Sequence, residues 1–224
     1  MSGPLADAVW PQLEDGDREL LIVPLGATEQ HGPHLPLGTD TAIALALAEA
    51  AAARLPGAAV APPLPYGSSG EHQGFPGTLS IGAAATELVL VELCRSATES
   101  FERVLLLSAH GGNAEPLLAA VARLRAEGRA VRGWSPAWGG DAHAGRTETS
   151  LMLALAPARV ELELAAAGNA APLAELLPGL RAGGVRPLAP NGVLGDPDGA
   201  SAAEGRALLE AAVSDLLAEL GSWR

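Results

Sequence analysis

Short runs of consecutive apolar residues alternate along this chain with longer stretches in which apolar residues recur every three or four positions. Residues 20–25, 58–61, 104–108 and 130–134 are such short runs, each ending where glycine, proline or a polar cluster begins, and they read as strands. Residues 40–55, 84–102, 114–127, 147–155 and 201–220 carry the longer pattern and read as helices. Asn113, Thr147 and Ser201 stand where helix caps are expected, and Glu204 follows Ser201 at the spacing of a capping box. Strand and helix take turns, which predicts an α/β fold: a mainly parallel sheet covered by helices on both faces. Residues 178–200, rich in Gly, Pro and Asp, read as a long loop. The length of 224 residues suits a single domain over 1–224.

Composition narrows the chemistry. The net charge of −12 argues against nucleic acid or an anionic membrane as partner, because both call for a basic footprint. All 14 basic residues are arginine, so every mechanism centred on a lysine amine is excluded, including the Walker phosphate loop, Schiff-base enzymes and Ser-Lys hydrolases. The one cysteine, Cys94, lies in an apolar helical stretch and reads as an inert buried thiol. No secretory signal opens the chain and no apolar run has the length of a membrane span, so a cytoplasmic protein is expected.

In open parallel sheets, ligands bind beyond the carboxyl ends of the strands. The chemistry of this sequence gathers there. The loop after the first strand holds Glu29, His31, His34 and Asp40, the third strand runs into His110-Gly111-Gly112-Asn113, and the fourth is followed by His143, Arg146 and Glu148. Of the five histidines, only His72 lies elsewhere, in the Gly-rich loop after the second strand, which reads as part of a pocket wall. Glu29, His31, Asp40 and His110 make a mixed carboxylate and imidazole donor set suited to zinc, iron(II) or manganese. Asp40 is the candidate to bridge two cations, and Glu148 is the best additional donor. Each residue has a plainer reading alone: Asp40 as a helix cap, Glu29 as a solvated loop residue, the histidines as hydrogen-bonded structural groups. Convergence at strand ends in a histidine-poor chain favours the metal site.

The surrounding residues are assigned more loosely. His34 is a supporting group or a substrate contact. Trp134 and Trp138 either pack over a substrate or fill a core gap. Arg146 either pairs with a substrate carboxylate or is a solvated helix residue. The Gly-Gly-Asn turn lacks dinucleotide spacing, and no G-x-S-x-G elbow points to a serine hydrolase.

At PLGATEQHGPHLPLGTD (24–40), AHGGN (109–113), DAHAGRTETS (141–150) and NGVLGDPDGASAAEG (191–205) the sequence resembles the creatininase family of metal-dependent amidohydrolases. The resemblance implies a three-layer α/β/α sandwich, a homohexamer, and a site for two divalent cations, zinc and iron(II) first, manganese as the alternative. It carries Glu29, His31, bridging Asp40 and His110 over as ligands. The creatinine hydrolases place a ligating glutamate where this chain has Gly112, which puts creatinine in doubt as substrate and makes Glu148 the replacement donor or a base. The compact length and the GGDAHAGRTETS segment look closest to the peptidase branch of mycofactocin maturation, whose members release a C-terminal Val-Tyr dipeptide from a modified precursor peptide. The expected reaction is metal-assisted hydrolysis of an amide C–N bond in a peptide or small amide, with His143 delivering a proton to the departing nitrogen. A small-molecule cyclic amide or formamide hydrolase on the same site, a nucleotide- or phosphate-binding module, and a noncatalytic scaffold are the alternatives.

Overall fold

The computed structural model describes residues 3–14 and 16–223. Its elements in chain order are β1 (Gly3–Pro4), α1 (Trp10–Glu14), β2 (Leu20–Leu25), α2 (Thr39–Ala52), β3 (Ala58–Val60), α3 (Ala83–Ala97), β4 (Arg103–Ser108), α4 (Ala114–Ala126), β5 (Val131–Trp134), α5 (Arg146–Leu155), α6 (Leu173–Gly183) and α7 (Ala202–Gly221). The sheet order is β1-β3-β2-β4-β5 and every pairing is parallel.

The central strands are apolar on both sides, as a parallel sheet covered twice requires. Leu20 and Ile22 of β2 and Leu105 and Leu107 of β4 point into one core, where Ile43 and Leu47 of α2, Leu151 and Met152 of α5 and Leu216 of α7 meet them. Leu21, Val23, Leu25, Val104 and Leu106 point the other way, into a core closed by Leu90, Val91 and Cys94 of α3 and Leu117 and Leu124 of α4. This is the three-layer α/β/α sandwich. Fully buried side chains of this kind contribute about 1.5–3 kcal/mol each. Cys94 sits in the second core, and burial pushes its thiol up to about 12, in keeping with an inert residue.

Strands β2 to β5 and helices α2, α3, α4, α5 and α7 lie where the hydrophobic pattern placed them, within a few residues at each end, whereas that pattern does not predict β1 and α1. The caps differ. Only Ser201 acts as expected, its hydroxyl accepting from the Glu204 amide at 3.2 Å. Asn113 instead ties loops together through Ser68 N and Gly26 O. Thr147 is already inside α5, and Asp141 takes the cap role, accepting from the amides of Arg146 and Thr147. Residues 173–183 form α6 in part of the stretch read as loop, with Pro178 inside the helix. Helix α5 approaches α7 so closely that a Cβ on Gly205 would stand 1.9 Å from the carbonyl oxygen of Ser150. That contact fixes α5, and with it Glu148, against the sandwich. Among the described residues, no helix is long and apolar enough to cross a membrane.

Strand β2 has β3 on one side and β4 on the other. The loops leaving β2 and β4 therefore diverge, opening a crevice at the carboxyl end of the sheet.

Candidate metal centre

Five groups from four segments of chain converge in that crevice. Glu29 and His31 come from the loop after β2, Asp40 from the first turn of α2, His110 from the end of β4 and Glu148 from the first turn of α5. Glu29 and His31 are fully buried, and Asp40 and His110 nearly so. His31 Nε2 lies 3.1 Å from Asp40 Oδ1 and 3.9 Å from Glu148 Oε2. His110 Nδ1 lies 3.3 Å from both Glu29 Oε1 and Asp40 Oδ2. Among the described residues the donor atoms form three trios, Glu29, His31 and His143; Glu29, Asp40 and His110; and His31, Asp40 and Glu148, of which the last two share Asp40. Asp40 is not the helix cap that its position at the start of α2 allowed; one of its oxygens faces each of these last two.

Hydrogen-bond accounting shows which imidazole nitrogens are free to ligate. His31 Nδ1 donates to the Glu29 carbonyl at 3.2 Å, and His110 Nε2 donates to the Ser68 carbonyl at 2.9 Å. Each ring thus turns its other nitrogen toward the carboxylates. His143 has the same posture. Its Nε2 donates to the Gln30 carbonyl at 2.8 Å, leaving Nδ1 3.8 Å from Glu29 Oε1 and 3.9 Å from Glu148 Oε2. Gln30 organises the back of the site. Its Oε1 accepts from the Gly32 amide at 2.9 Å, and its Nε2 donates to the Gly192 carbonyl at 3.0 Å and to His72 Nδ1 at 2.9 Å. His72 then carries its proton on Nε2, which faces Glu29 Oε1 at 3.3 Å.

The carboxylates make the case for a cation. Both oxygens of Glu29 and Oδ2 of Asp40 are buried without a hydrogen-bond partner. Buried carboxylate oxygens left in that state are costly, and a divalent cation held by the donor set at hand would satisfy them. The charge imbalance is visible in the side chains themselves. Burial works against a charged His31, yet the Asp40 carboxylate beside it raises its pKa to about 10. Burial likewise opposes charge on His110, but Glu29 and Asp40 hold it well above the imidazole range. Asp40 stays far below the carboxylate range, held there against burial by His31 and His110. Burial lifts Glu148 to about 7, against the pull of His31. Burial also lowers His72 to about 4 and, with His31 and His72 nearby, lowers His143.

The remaining candidates divide. Trp138 lines the cavity over the cluster, which has a volume of about 840 Å³. Both Trp134 and Trp138 pack against the core on the α2 side, and Trp134 is not in the cavity lining. His34 is buried away from the cavity, its Nε2 2.8 Å from Thr149 Oγ1. Arg146 is not among the residues lining the cavity, and its Nε donates to both oxygens of Glu204 at 3.0 and 2.9 Å. Gln30 had no signal in the sequence beyond its place in the ligand loop, and the role of His72 emerges only when the Gly-rich loop folds over Glu29.

Gly112 explains why no ligand comes from that position. A Cβ there would stand 2.2 Å from the Ser68 carbonyl oxygen, 2.5 Å from Glu71 Oε1 and 2.5 Å from His110 Nε2. A side chain must therefore displace the His110 ring or break its bond to Ser68. Gly112→Ala is expected to weaken metal binding about 10- to 100-fold, the usual cost of disturbing a ligand's support, when measured by competition with a chelating dye. Unchanged affinity would show that the turn yields without moving His110.

Residues 6–220 match the family model described as creatinine amidohydrolase. A mycofactocin precursor peptide peptidase of Mycobacterium ulcerans is 50% identical over 226 residues, 96% of this chain and 87% of the relative. A crystal structure of creatinine amidohydrolase is 28% identical and superposes with a TM-score of 0.80, covering 98% of this chain and 97% of the other. A structure titled creatininase Mn, 26% identical, superposes at 0.79 with 98% of both chains covered. The chain is a hydrolase of amide bonds and belongs to the creatininase family.

Proposed function

We propose that this chain is a metal-dependent peptidase that releases the C-terminal Val-Tyr dipeptide from a modified mycofactocin precursor peptide. The observation that carries the reading is the 50% identity over 96% of the chain to a protein named for that activity, against 28% to a creatinine amidohydrolase structure. The crowding at Gly112 supports it, because the site is built without the ligand that the creatinine hydrolases place there. We propose one catalytic unit over residues 1–224, acting in the cytoplasm as a homohexamer, with zinc or iron(II) as the cations and manganese as a working substitute.

In this reading, Glu29, Asp40 and His110 would hold one cation and His31, Asp40 and Glu148 the other. When bound, the pair supplies Lewis acidity, which acidifies water and polarises an amide carbonyl. Buried, hydrogen-bonded rings keep the donors in place: the backbone carbonyls of Glu29 and Ser68 fix His31 and His110. Glu148 Oε2, 3.9 Å from both His31 Nε2 and His143 Nδ1, is the carboxylate oxygen placed to take a proton from water. His143 Nδ1, bare while Nε2 donates to the Gln30 carbonyl, stands 3.9 Å from Glu148 Oε2, where it relays to the departing nitrogen the proton that Glu148 takes from water. The carbonyl carbon gains an oxygen, the C–N bond breaks and the dipeptide leaves as an amine. Trp138 and the apolar side chains of the cavity wall shield the bond from bulk solvent.

Incubation of the metal-loaded protein with the modified precursor peptide and, separately, with creatinine tests the reading. Mass spectrometry is expected to find a peptide shortened by Val-Tyr and creatinine intact. Turnover of creatinine with the peptide untouched would return the chain to small cyclic amides.

A further inference from the structure

One wall of the cavity above the cluster is formed by helix α6. On α6, Leu173, Leu177 and Leu180 follow helical spacing and lie on one face, with Arg181 beside the last of them, and all four line the cavity. Leu173 is 48% and Leu177 38% exposed, so the core of the chain leaves this face uncovered. The lining also carries six carboxylates, those of Glu29, Asp40, Glu71, Glu115, Asp141 and Glu148, and a single arginine, Arg181. Among the described residues, no carboxylate comes within ion-pair distance of Arg181, as is also true of Arg18, Arg125, Arg159, Arg186 and Arg206, but Arg181 alone of these lines the cavity. The end of α6 is anchored to the metal-binding region: Val185 N donates to the Glu71 carbonyl at 2.8 Å, one residue before His72.

An anionic ligand entering a cavity with this excess of carboxylates is repelled everywhere except beside the cations and beside Arg181. A guanidinium at the end of an apolar ridge matches one kind of ligand well: a peptide terminus with hydrophobic side chains and a free carboxylate. We propose that the α6 face seats the C-terminal dipeptide of the substrate, with Arg181 binding the terminal carboxylate and Leu173, Leu177 and Leu180 the side chains. Arg181 then reads the chain end and sets how much peptide lies between that end and the bond cut. This assignment rests on the peptidase reading above, and it replaces Arg146, whose guanidinium Glu204 already holds.

The test compares Val-Tyr with its C-terminal carboxamide by calorimetric binding to the metal-loaded wild type, Arg181→Gln, Arg181→Lys and Arg206→Gln. Arg206 is an exposed arginine on α7, outside the cavity lining, and controls for net charge. The wild type and Arg206→Gln are expected to bind the acid roughly 10- to 100-fold more tightly than the amide, the range of a charge-assisted hydrogen-bond pair. Arg181→Gln is expected to close that gap and Arg181→Lys to restore part of it. A gap that persists in Arg181→Gln, or no gap in the wild type, overturns the assignment. Cleavage of precursor peptide with a free or amidated end separates the two readings. Equal cleavage of both ends overturns the role of Arg181 and leaves the peptidase standing. Discrimination that depends on Arg181, with neither peptide cut, supports the carboxylate seat and overturns the peptidase.

Discussion

Asp40→Ala is expected to empty the site of both cations and to abolish hydrolysis. Asp40 belongs to two of the three donor trios, so its loss leaves each of those with two groups, too few for a stable divalent site. Loss of several kcal/mol of charge stabilisation corresponds to a fall of more than about a thousandfold in turnover. Asp40→Asn separates charge from shape: it keeps the side-chain volume and a contact to His31, and it is expected to lose metal nearly as completely. Elemental analysis after dialysis, alongside turnover of the cognate peptide, gives both quantities. Full activity in a metal-free Asp40→Ala protein would sink the two-cation mechanism.

The second large effect is expected at His143, and it has the opposite signature. His143 forms a trio with Glu29 and His31 but belongs to neither trio that shares Asp40, so His143→Ala is expected to keep both cations while turnover falls about 10²- to 10⁴-fold, the range of a positioned proton-transfer group. Its Nδ1 nevertheless lies 3.8 Å from Glu29 and 3.9 Å from Glu148, in the posture of the ligating rings. Metal content therefore decides between two roles. Loss of one cation would make His143 a ligand, and an unchanged rate with full metal would remove it from the chemistry.

The sequence carried the sheet and the donor types, but not the aim of the side chains. The apolar runs of β2 and β4 are continuous, which is the mark of strands buried on both faces, and the helical periods around them are long enough to be unambiguous. The concentration of Glu, Asp and His at strand ends was readable for the same reason, since the parallel sheet places those ends together. Three features were not readable. Asp40 at a helix start is equally suited to capping or to ligation, and only the approach of His31 and His110 decides. Arg146 has the right neighbours in sequence for a substrate contact, but Glu204, 58 residues away, claims it. Helix α6 is interrupted by Pro178 and is rich in glycine at its end, which locally reads as loop; its helix forms because Leu176 and Val185 close a small core with Ala189 and Leu194. In each case a contact distant in sequence overrides a local preference. The Gln30, His72 and His143 network is the clearest instance, since it joins segments from three separate loops.

Glu29, His31, Asp40, His110 and Glu148 are proposed to hold two cations with Asp40 between them. Anomalous diffraction at the zinc edge from crystals of the zinc-loaded protein tests this arrangement most directly. Two peaks are expected, about 3.5–4 Å apart, one against Glu29 and His110 and one against His31 and Glu148, with Asp40 touching both. A single peak, or peaks away from Asp40, would contradict the account.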